Sequence, residues 1–373
     1  MHDADHLAGT CDMRGSLRIA GVRMRTVSVP LEKPVRTAAG LVSTAALVIV
    51  DMDTDHGASG TTYAFTDTPV ALGAIRRLLD DLAGMLTGLP VAPAALYATL
   101  RQRLKLLGTP GLVGIVLATL DMAAWDALAR TLGVPLATLL GGGPGPVAAY
   151  ASYGMAGVEQ AERDGAEAME RGYRALKIKI GYPTLAEDLA AIRAVRRVVG
   201  DEVRVMVDYN QYLSVADALV RCAALDDERI EWIEEPTAYD DYAGNARIAA
   251  AIRTPVQLGE NLWGPREVGK ALAHGASDLM MLDLMKAGGV TGWLRGAALC
   301  DAAGVRVSSH VFPEVSAQLL RVTPGAHYLE SLGIATPLLA RPLRVVDGMA
   351  IVDDTPGSGI VWNDDAVARH LVV

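Results

Sequence analysis

Short β-rich runs alternate with Ala- and Leu-rich stretches through the second half of the chain, and this alternation constrains the fold most strongly. Seven runs begin at residues 147, 175, 203, 230, 255, 279 and 305, which places them 24 to 28 residues apart. One strand and one helix take about this length, so the pattern predicts parallel strands with helical crossovers. An open doubly wound sheet is the rival to a closed (β/α) barrel. No G-x-G-x-x-G follows the first run, which favours the barrel.

The residues before this alternation have a different texture. Strand-like alternation begins at Leu17, residues 45–50 are a buried strand, residues 69–86 have helical spacing, and a long apolar helix starts at Gly111. Three glycines at 141–143 and two nearby prolines indicate a domain boundary. Beyond it, Asp347-Gly348 indicates a hairpin turn. We therefore predict a flexible leader (1–16), an N-terminal domain (17–143), a barrel (144–342) and a C-terminal segment (343–373) that folds back on the N-terminal domain.

Composition restricts the classes of function. Apolar residues make up 51% of the chain, which allows a large core, and the net charge of −9 without a basic cluster argues against nucleic acid as a partner. The three cysteines are scattered, which indicates a reducing compartment rather than a disulfide framework. The first residues contain no apolar signal-peptide core, and no uninterrupted apolar run approaches the ~20 residues that span a bilayer. We therefore expect a soluble cytoplasmic protein.

Three carboxylates fall at the ends of successive β-rich runs. Asp208, Glu234 and Glu260 each close one run. The carboxyl ends of barrel strands meet at one rim, where like charges would repel one another unless a cation lay between them. Oxygen ligands favour a hard ion, Mg²⁺ before Mn²⁺ or Ca²⁺. One such acid alone would more often cap a helix or pair at the surface. Three in register predict a metal site.

Two lysines share one run. Lys177 and Lys179 are two residues apart, so both side chains point to the same face of the strand, which here is the barrel interior. Lysines are rarely buried without a partner. Mutual repulsion and burial would each lower their pKa and allow one amine to act as a base at neutral pH. The alternative is a structural pair that neutralises the three carboxylates.

A histidine and two further acids follow the later runs. Asp283 ends the sixth run and His310 ends the seventh. A carboxylate behind an imidazole fixes its tautomer and raises its basicity, so the two predict a second acid–base group. Glu330 lies where an eighth strand should end. It could donate a hydrogen bond to a developing oxyanion, or it could be a salt-bridge partner.

These residues lie in motifs that resemble the mandelate racemase group of the enolase superfamily. The resemblance extends from about Leu17 to the C-terminus. It implies an α/β fold, a (β/α)₇β modified TIM barrel with an α+β N-terminal capping domain completed by the C-terminal segment, and a homo-oligomer. The motifs are K-x-K at 177–179, D-x-N at 208–210, W-I-E-E-P-T at 232–237, G-E-N at 259–261, D-x-M-K-x-G-G-V-T-G-W at 283–293, S-S-H at 308–310 and D-M-A-A-W-D at 121–126.

The resemblance also implies roles for the site residues in abstracting the α-proton of a small-molecule carboxylate. A dianionic enediolate needs metal, cationic and hydrogen-bonding groups near its oxygens. The implied roles are Mg²⁺ ligation by Asp208, Glu234 and Glu260; proton transfer by Lys179 on one face and by His310, oriented by Asp283, on the other; substrate carboxylate contact by Lys177; donation to the second carboxylate oxygen by Glu330; and polar contacts by Asn210 and Ser152.

Substrate choice in this group depends on two capping-domain loops, here about 35–44 and 63–69, so Val35 and Asp67 are predicted substrate contacts. The position of Asp67 matches an aromatic residue in mandelate racemase. A carboxylate against a phenyl ring is unfavourable, which argues for a more polar substrate than mandelate. Cycloisomerases and dipeptide epimerases of the superfamily have lysine at the position of Asp283, so aspartate there favours the mandelate racemase type.

Three functions fit these residues. Two bases on opposite faces of one carbon allow a 2-hydroxy-acid racemase or epimerase, which is our first hypothesis. An acid-sugar dehydratase would use the same residues, with His310 protonating a departing β-hydroxyl. A catalytically silent binding homologue is the third, but every expected ligand and base is present.

Overall fold

The computed structural model describes residues 17–37, 40–66 and 68–372, so the predicted leader and Asp67 lie outside the described residues. The N-terminal part is an antiparallel sheet in the order β1-β2-β3 with helices packed on it. Residues 45–50 are buried in the central strand, as their aliphatic run predicts. The elements are β1 (Ile19–Thr37), β2 (Gly40–Thr54), β3 (Ser59–Phe65), α1 (Leu72–Leu86), α2 (Pro93–Arg103), α3 (Leu112–Thr131) and α4 (Leu136–Leu139).

Eight parallel strands form the barrel. The first seven pair in sequence order, the eighth pairs with the first, and the Ser309 N–H of the seventh donates to the Tyr328 carbonyl beside the eighth at 3.0 Å. The predicted (β/α)₇β barrel is confirmed. Its strands are β4 (Gly145–Tyr153), β5 (Ala175–Lys179), β6 (Arg204–Asp208), β7 (Ile233–Glu234), β8 (Val256–Leu258), β9 (Leu279–Asp283), β10 (Arg306–His310) and β11 (Leu329–Ser331).

Helices follow the first seven barrel strands and cover the outside of the barrel. Several begin at side-chain caps that the sequence supplies; for example, Thr184 and Glu187 form a reciprocal capping box at the start of α6. The helices are α5 (Val158–Glu170), α6 (Leu185–Val199), α7 (Val215–Leu225), α8 (Tyr242–Ala251), α9 (Gly264–Ala273), α10 (Leu284–Ala287), α11 (Gly289–Ala302) and α12 (Pro313–Leu320).

The helix α3 joins the two parts of the molecule. By length and composition it could cross a bilayer, although Asp121 and Asp126 interrupt its apolar run. The most apolar window of α3 is 72% buried inside the protein, and the helix packs against β3 and α11. These contacts are those of a core helix, whose apolar surface on all sides is explained by neighbours on all sides.

The C-terminal segment packs on the barrel as well as on the capping domain. Its hairpin, β12 (Val345–Val346) and β13 (Met349–Val352), turns at Asp347-Gly348 and pairs with β4 of the barrel. The physical reason is an open edge: β11 covers only Ala149–Ala151 of β4, which leaves residues 145–148 free to pair. Helix α13 (Asp364–Arg369) follows. The segment also reaches the N-terminal sheet, where the Trp362 Nε1–H donates to Thr61 Oγ1 at 2.7 Å and the Val372 N–H donates to the Thr26 carbonyl at 2.9 Å.

A buried carboxylate on α3 makes folding stability depend on pH. Asp121 accepts hydrogen bonds from Thr291 N and Oγ1 at 2.9 and 2.5 Å, and burial raises its pKa to about 7 although these bonds oppose the shift. Because this pKa is higher in the folded than in the unfolded chain, the contribution of Asp121 to the free energy of unfolding is fully present below about pH 4. It is lost as the pH rises through about 7.

We expect Asp121→Asn to remove this dependence. Between pH 4 and 8, the decline in the free energy of unfolding should be smaller in the variant than in the wild type by about 1–3 kcal/mol. Urea denaturation of both proteins at a series of pH values measures the difference. Equal slopes for the two proteins would contradict the assignment.

Candidate active site

Three carboxylates meet inside the carboxyl-terminal mouth of the barrel. Asp208 and Glu234 are paired in register at the ends of β6 and β7, and Glu260 follows β8 by two residues. All three are buried, and one oxygen from each lies within 4.8 Å of the others. Gly259 makes this approach possible, because a Cβ atom there would lie 2.1 Å from the Met281 carbonyl oxygen. The structure therefore brings together the three residues that the sequence predicts as metal ligands.

Both lysines of β5 are buried among these acids. The Lys177 Nζ donates to Glu234 Oε1 and Oε2 at 2.7 and 2.9 Å, and the Lys179 Nζ donates to Asp208. Burial lowers the pKa of Lys179, but the charge of Asp208 outweighs it, so the pKa lies above its ordinary value. The expectation of a lowered lysine pKa was therefore wrong for this arrangement. The charge of Lys177 does lower the pKa of Lys179, as expected, but the surrounding carboxylates raise it by more.

The charge of the cluster fits a bound cation. Burial raises the pKa of Glu234 to about 8. Six buried carboxylates surround two lysines and one histidine, and they are those of Asp208, Glu234, Glu235, Glu260, Asp283 and Glu330. Glu260 Oε2 has no hydrogen-bond donor in the described part of the chain, although His310 Nε2 is 3.2 Å away. A set of three carboxylate ligands is typical of a hard cation such as Mg²⁺, with coordination positions left for substrate oxygens and water. The residues present therefore fit a magnesium ion held by Asp208, Glu234 and Glu260.

The predicted His–Asp pair is formed across neighbouring strands. His310 and Asp283 are register partners on β10 and β9, and His310 Nδ1 lies 2.8 Å from Asp283 Oδ2. This contact assigns the proton to Nδ1 and leaves Nε2 facing Glu260. Burial lowers the pKa of His310, but the charges of Glu260 and Glu330 and the contact with Asp283 raise it to about 10. Without a cation beside Glu260 the imidazole would therefore be protonated at neutral pH, whereas a bound Mg²⁺ would offset the charge of Glu260 and lower this pKa.

Glu330 lies on β11, where the eighth strand was expected to end. Its Oε1 is 3.1 Å from Lys177 Nζ, and its Oε2 accepts a hydrogen bond from the Val311 N–H at 3.0 Å. Burial acts to raise its pKa, but Lys177 and His310 lower it to about 2. An ionised carboxylate cannot donate, so this geometry supports the salt-bridge role among the two that the sequence left open.

The predicted substrate contacts have different positions. Asn210 donates from N and Nδ2 to Asp208 at 2.7 and 3.0 Å, so it holds a predicted metal ligand, while its buried Oδ1 has no partner among described residues. Ser152 lies on β4 as the register partner of Lys177. Val35 belongs to the β1–β2 hairpin, which reaches the barrel because the Met155 N–H donates to the Arg36 carbonyl at 2.7 Å.

Three polar residues beside this cluster had no role in the sequence analysis. Glu235 is buried and accepts from the amide of Asn261, and Lys286 Nζ donates to the same amide. All three lie inside the motifs W-I-E-E-P-T, G-E-N and D-x-M-K. Their presence in the motifs was the available signal. Side chains alternate between the two faces of a strand, but this alternation does not predict where a side chain points once the strand has ended.

Backbone strain is concentrated at the same mouth. Non-glycine residues follow β6, β7 and β10 with positive φ angles, a conformation that costs roughly 1–3 kcal/mol per residue. For the β-branched Val311 this is a true outlier. Strain of this kind persists where surrounding contacts hold a functional geometry. The residues and φ angles are Asn210 (44°), Gln211 (65°), Glu235 (38°), Val311 (41°) and Phe312 (49°).

Comparison with known proteins agrees with this site. The mandelate racemase / muconate lactonizing enzyme N-terminal domain matches residues 19–141, and the enolase C-terminal domain-like family matches residues 159–366. The chain belongs to the mandelate racemase / muconate lactonizing enzyme family. The chain is therefore a member of the enolase superfamily, as the sequence motifs indicated.

Individual relatives show the range of this family. An enolase from Bradyrhizobium, crystallised with magnesium and mandelic acid, is 42% identical with a TM-score of 0.93, over 97% of this chain and 100% of that one. L-Talarate dehydratase from Polaromonas sp., crystallised with Mg and L-glucarate, is 28% identical with a TM-score of 0.90, over 96% and 98%. L-Ala-D/L-Glu epimerase of Bacillus subtilis is 29% identical over 84% of this chain and 86% of its own length.

The relatives define the enzyme at a coarse level. Isomerases and dehydratases both occur among them, and solved neighbours contain magnesium with small carboxylates such as mandelic acid and glucarate. The chain is thus a magnesium-dependent enzyme of a family that acts on small-molecule carboxylates. The carboxylate cluster at 208, 234 and 260 is the group in the described residues that could hold the ion.

Proposed function

We propose that the enzyme removes the α-proton of a small 2-hydroxy carboxylate and returns a proton to the same carbon, which racemises or epimerises it. One observation carries this proposal: two acid–base groups flank the carboxylate cluster. Lys179 contacts Asp208 on one side of it, and His310 Nε2 lies 3.2 Å from Glu260 on the other. A substrate held at the cluster would therefore have one acid–base group on each face of its α-carbon.

The surrounding residues support this chemistry. An α-proton next to a carboxylate is a very weak acid, and a bound Mg²⁺ would stabilise the charge that develops on the substrate oxygens. Lys177 adds a fixed buried cation beneath the cluster. Asp283 holds the His310 tautomer, so that Nε2 is the atom that delivers or takes the proton. These roles for Lys177, Lys179, Asp283 and His310 are part of the proposal.

Acid-sugar dehydration is the second candidate, and a specific observation favours it. The raised pKa of His310, about 10 without a cation beside Glu260, favours a protonated imidazole at neutral pH, which suits a general acid for a departing β-hydroxyl. The similarity to L-talarate dehydratase with L-glucarate supports the same reading. Lys179 would then remove the α-proton as the free amine, a form that a bound Mg²⁺ would favour by offsetting the charge of Asp208. A catalytically silent role is disfavoured, because all expected ligands and bases are present.

Deuterium exchange separates the candidates. The enzyme with Mg²⁺ is incubated in D₂O with mandelate, hydroxylated 2-hydroxy acids, aldonic acids and aldaric acids, and the products are followed by NMR and polarimetry. We expect α-deuterium incorporation with loss of optical rotation and no loss of water. A 2-keto-3-deoxy product would instead establish the dehydratase. Enzyme stripped with EDTA is the control, and no exchange with any member of the panel would contradict both candidates.

Two further properties are proposed from the family resemblance and the composition. We infer a cytoplasmic enzyme, in keeping with its scattered cysteines, of which Cys222 and Cys300 are buried and free. We also infer a homo-oligomer.

A further inference from the structure

A short hydrogen-bonded chain connects one turn of helix to the metal-ligand cluster. Lys286 lies in α10, and its Nζ donates to Asn261 Oδ1 at 2.7 Å. The Asn261 Nδ2 donates to Glu235 Oε1 and Oε2 at 2.9 and 2.8 Å and to Glu260 Oε1 at 3.2 Å. Asn261 therefore links a lysine on one side to two buried carboxylates on the other.

The orientation of this amide follows from the Lys286 ammonium. An ammonium group can only donate, whereas a side-chain amide accepts through its oxygen and donates through its nitrogen. Lys286 therefore requires the amide oxygen of Asn261 to face it, which turns the amide nitrogen toward Glu235 and Glu260. A flipped amide would place its nitrogen against the ammonium and its oxygen against Glu260, and this buried acceptor would lose its donor.

We propose that Lys286 is a positioning residue that fixes the amide of Asn261 and, through it, holds Glu260 in place for Mg²⁺. The inference rests on the proposed function, in which Glu260 is a metal ligand. Lys286 Nζ donates to the amide oxygen of Asn261, and the amide nitrogen donates to Glu260. The proposed effect reaches the metal through this amide, as residues behind metal ligands commonly tune affinity.

The position of Lys286 is itself fixed by the acid–base pair. Its backbone N–H donates to Asp283 Oδ1 at 2.8 Å as α10 begins, while Asp283 Oδ2 lies 2.8 Å from His310 Nδ1. One turn of helix therefore connects the carboxylate behind the proposed base to the amide behind the proposed ligand. This arrangement keeps His310 and Glu260 in a constant relation, with Nε2 and Oε2 3.2 Å apart.

Glu235 strengthens the case that the amide direction matters. Its side chain is fully buried beside Glu260, and its backbone has a φ of 38°, so the fold tolerates strain to keep it there. The Asn261 Nδ2 donates to both carboxylate oxygens of Glu235. A wrongly oriented amide would thus disturb two neighbouring carboxylates together.

Three variants test the proposal by direct Mg²⁺ titration with isothermal calorimetry. Lys286→Met keeps the length of the side chain without a donor, and we expect the Kd for Mg²⁺ to rise about 10- to 100-fold. Lys286→Arg keeps a donor and should recover most of the affinity. Asn261→Asp places an oxygen toward Glu235 and Glu260, as a flipped amide would, and should weaken binding at least as much as Lys286→Met.

Lys270→Met is the matched control, because Lys270 is an exposed lysine on the adjacent helix α9. Kinetics add a second readout: kcat/KM of Lys286→Met should fall at low Mg²⁺ and recover as Mg²⁺ is raised, with thermal unfolding of the metal-free proteins unchanged. Wild-type protein that does not bind Mg²⁺ would refute the proposed function itself. Wild-type binding that Lys286→Met and Asn261→Asp leave unaltered would overturn only the role of Lys286, as would equal loss in Lys286→Arg.

Discussion

Replacing either proposed base, by Lys179→Met or by His310→Asn, should reduce turnover about 10³-fold. Each group contacts a different side of the carboxylate cluster, Lys179 at Asp208 and His310 at Glu260. Each would therefore serve one enantiomer of a 2-hydroxy acid. The decisive expectation is a split: each variant should still exchange the α-proton of one enantiomer with D₂O while it no longer interconverts the two.

NMR of separate enantiomers in D₂O measures this split. Lys270→Met and His274→Asn are matched controls, because both residues are exposed on or just after α9. Exchange of both enantiomers by either variant would contradict the two-base arrangement. If the enzyme is a dehydratase, both variants should lose formation of the keto acid and show no division by enantiomer, so the same experiment separates the two candidate reactions.

The barrel and the cluster were predictable because they depend on local pattern. Aliphatic runs at regular spacing specify parallel strands, and parallel strands end at one rim, so residues that close those runs must approach one another. Asp208, Glu234 and Asp283 illustrate this, since each is the last residue of its strand. Even Glu330 could be placed, because the spacing fixed where an eighth strand would end.

The remaining features depend on contacts that spacing does not encode. The pKa of Lys179 depends on the carboxylate that its amine contacts. The spacing of the two lysines in the sequence gives no information about that contact. The sequence predicts the hairpin at Asp347-Gly348 but not its pairing with β4. The part of β4 that is free to pair depends on how far β11 overlaps it in the folded barrel. Asn261 and Lys286 lie past strand ends, where alternation no longer gives direction.

Glu260→Gln should abolish most of the stabilisation that Mg²⁺ gives to the protein. Glutamine keeps the size of the side chain but removes the charge that a hard cation requires. At 100 times the Kd, a ligand that binds only the folded state stabilises it by about 2.7 kcal/mol. Wild-type protein should therefore unfold at a higher temperature when Mg²⁺ is added, and Glu260→Gln should respond little and should lose activity.

The metal-free proteins must be compared separately, because Glu260 also pairs with cations of the chain. Burial acts to raise the pKa of Glu260, but His310, whose Nε2 lies 3.2 Å from Glu260 Oε2, and Lys179 hold it below its ordinary value. Without Mg²⁺, Glu260→Gln should therefore be less stable than the wild type at neutral pH, so the Mg²⁺ response of each protein is measured against its own metal-free unfolding temperature. Glu314→Gln is the matched control, because Glu314 is a buried glutamate bonded to the Tyr63 hydroxyl instead. A full Mg²⁺ response in Glu260→Gln would show that this carboxylate is not a ligand.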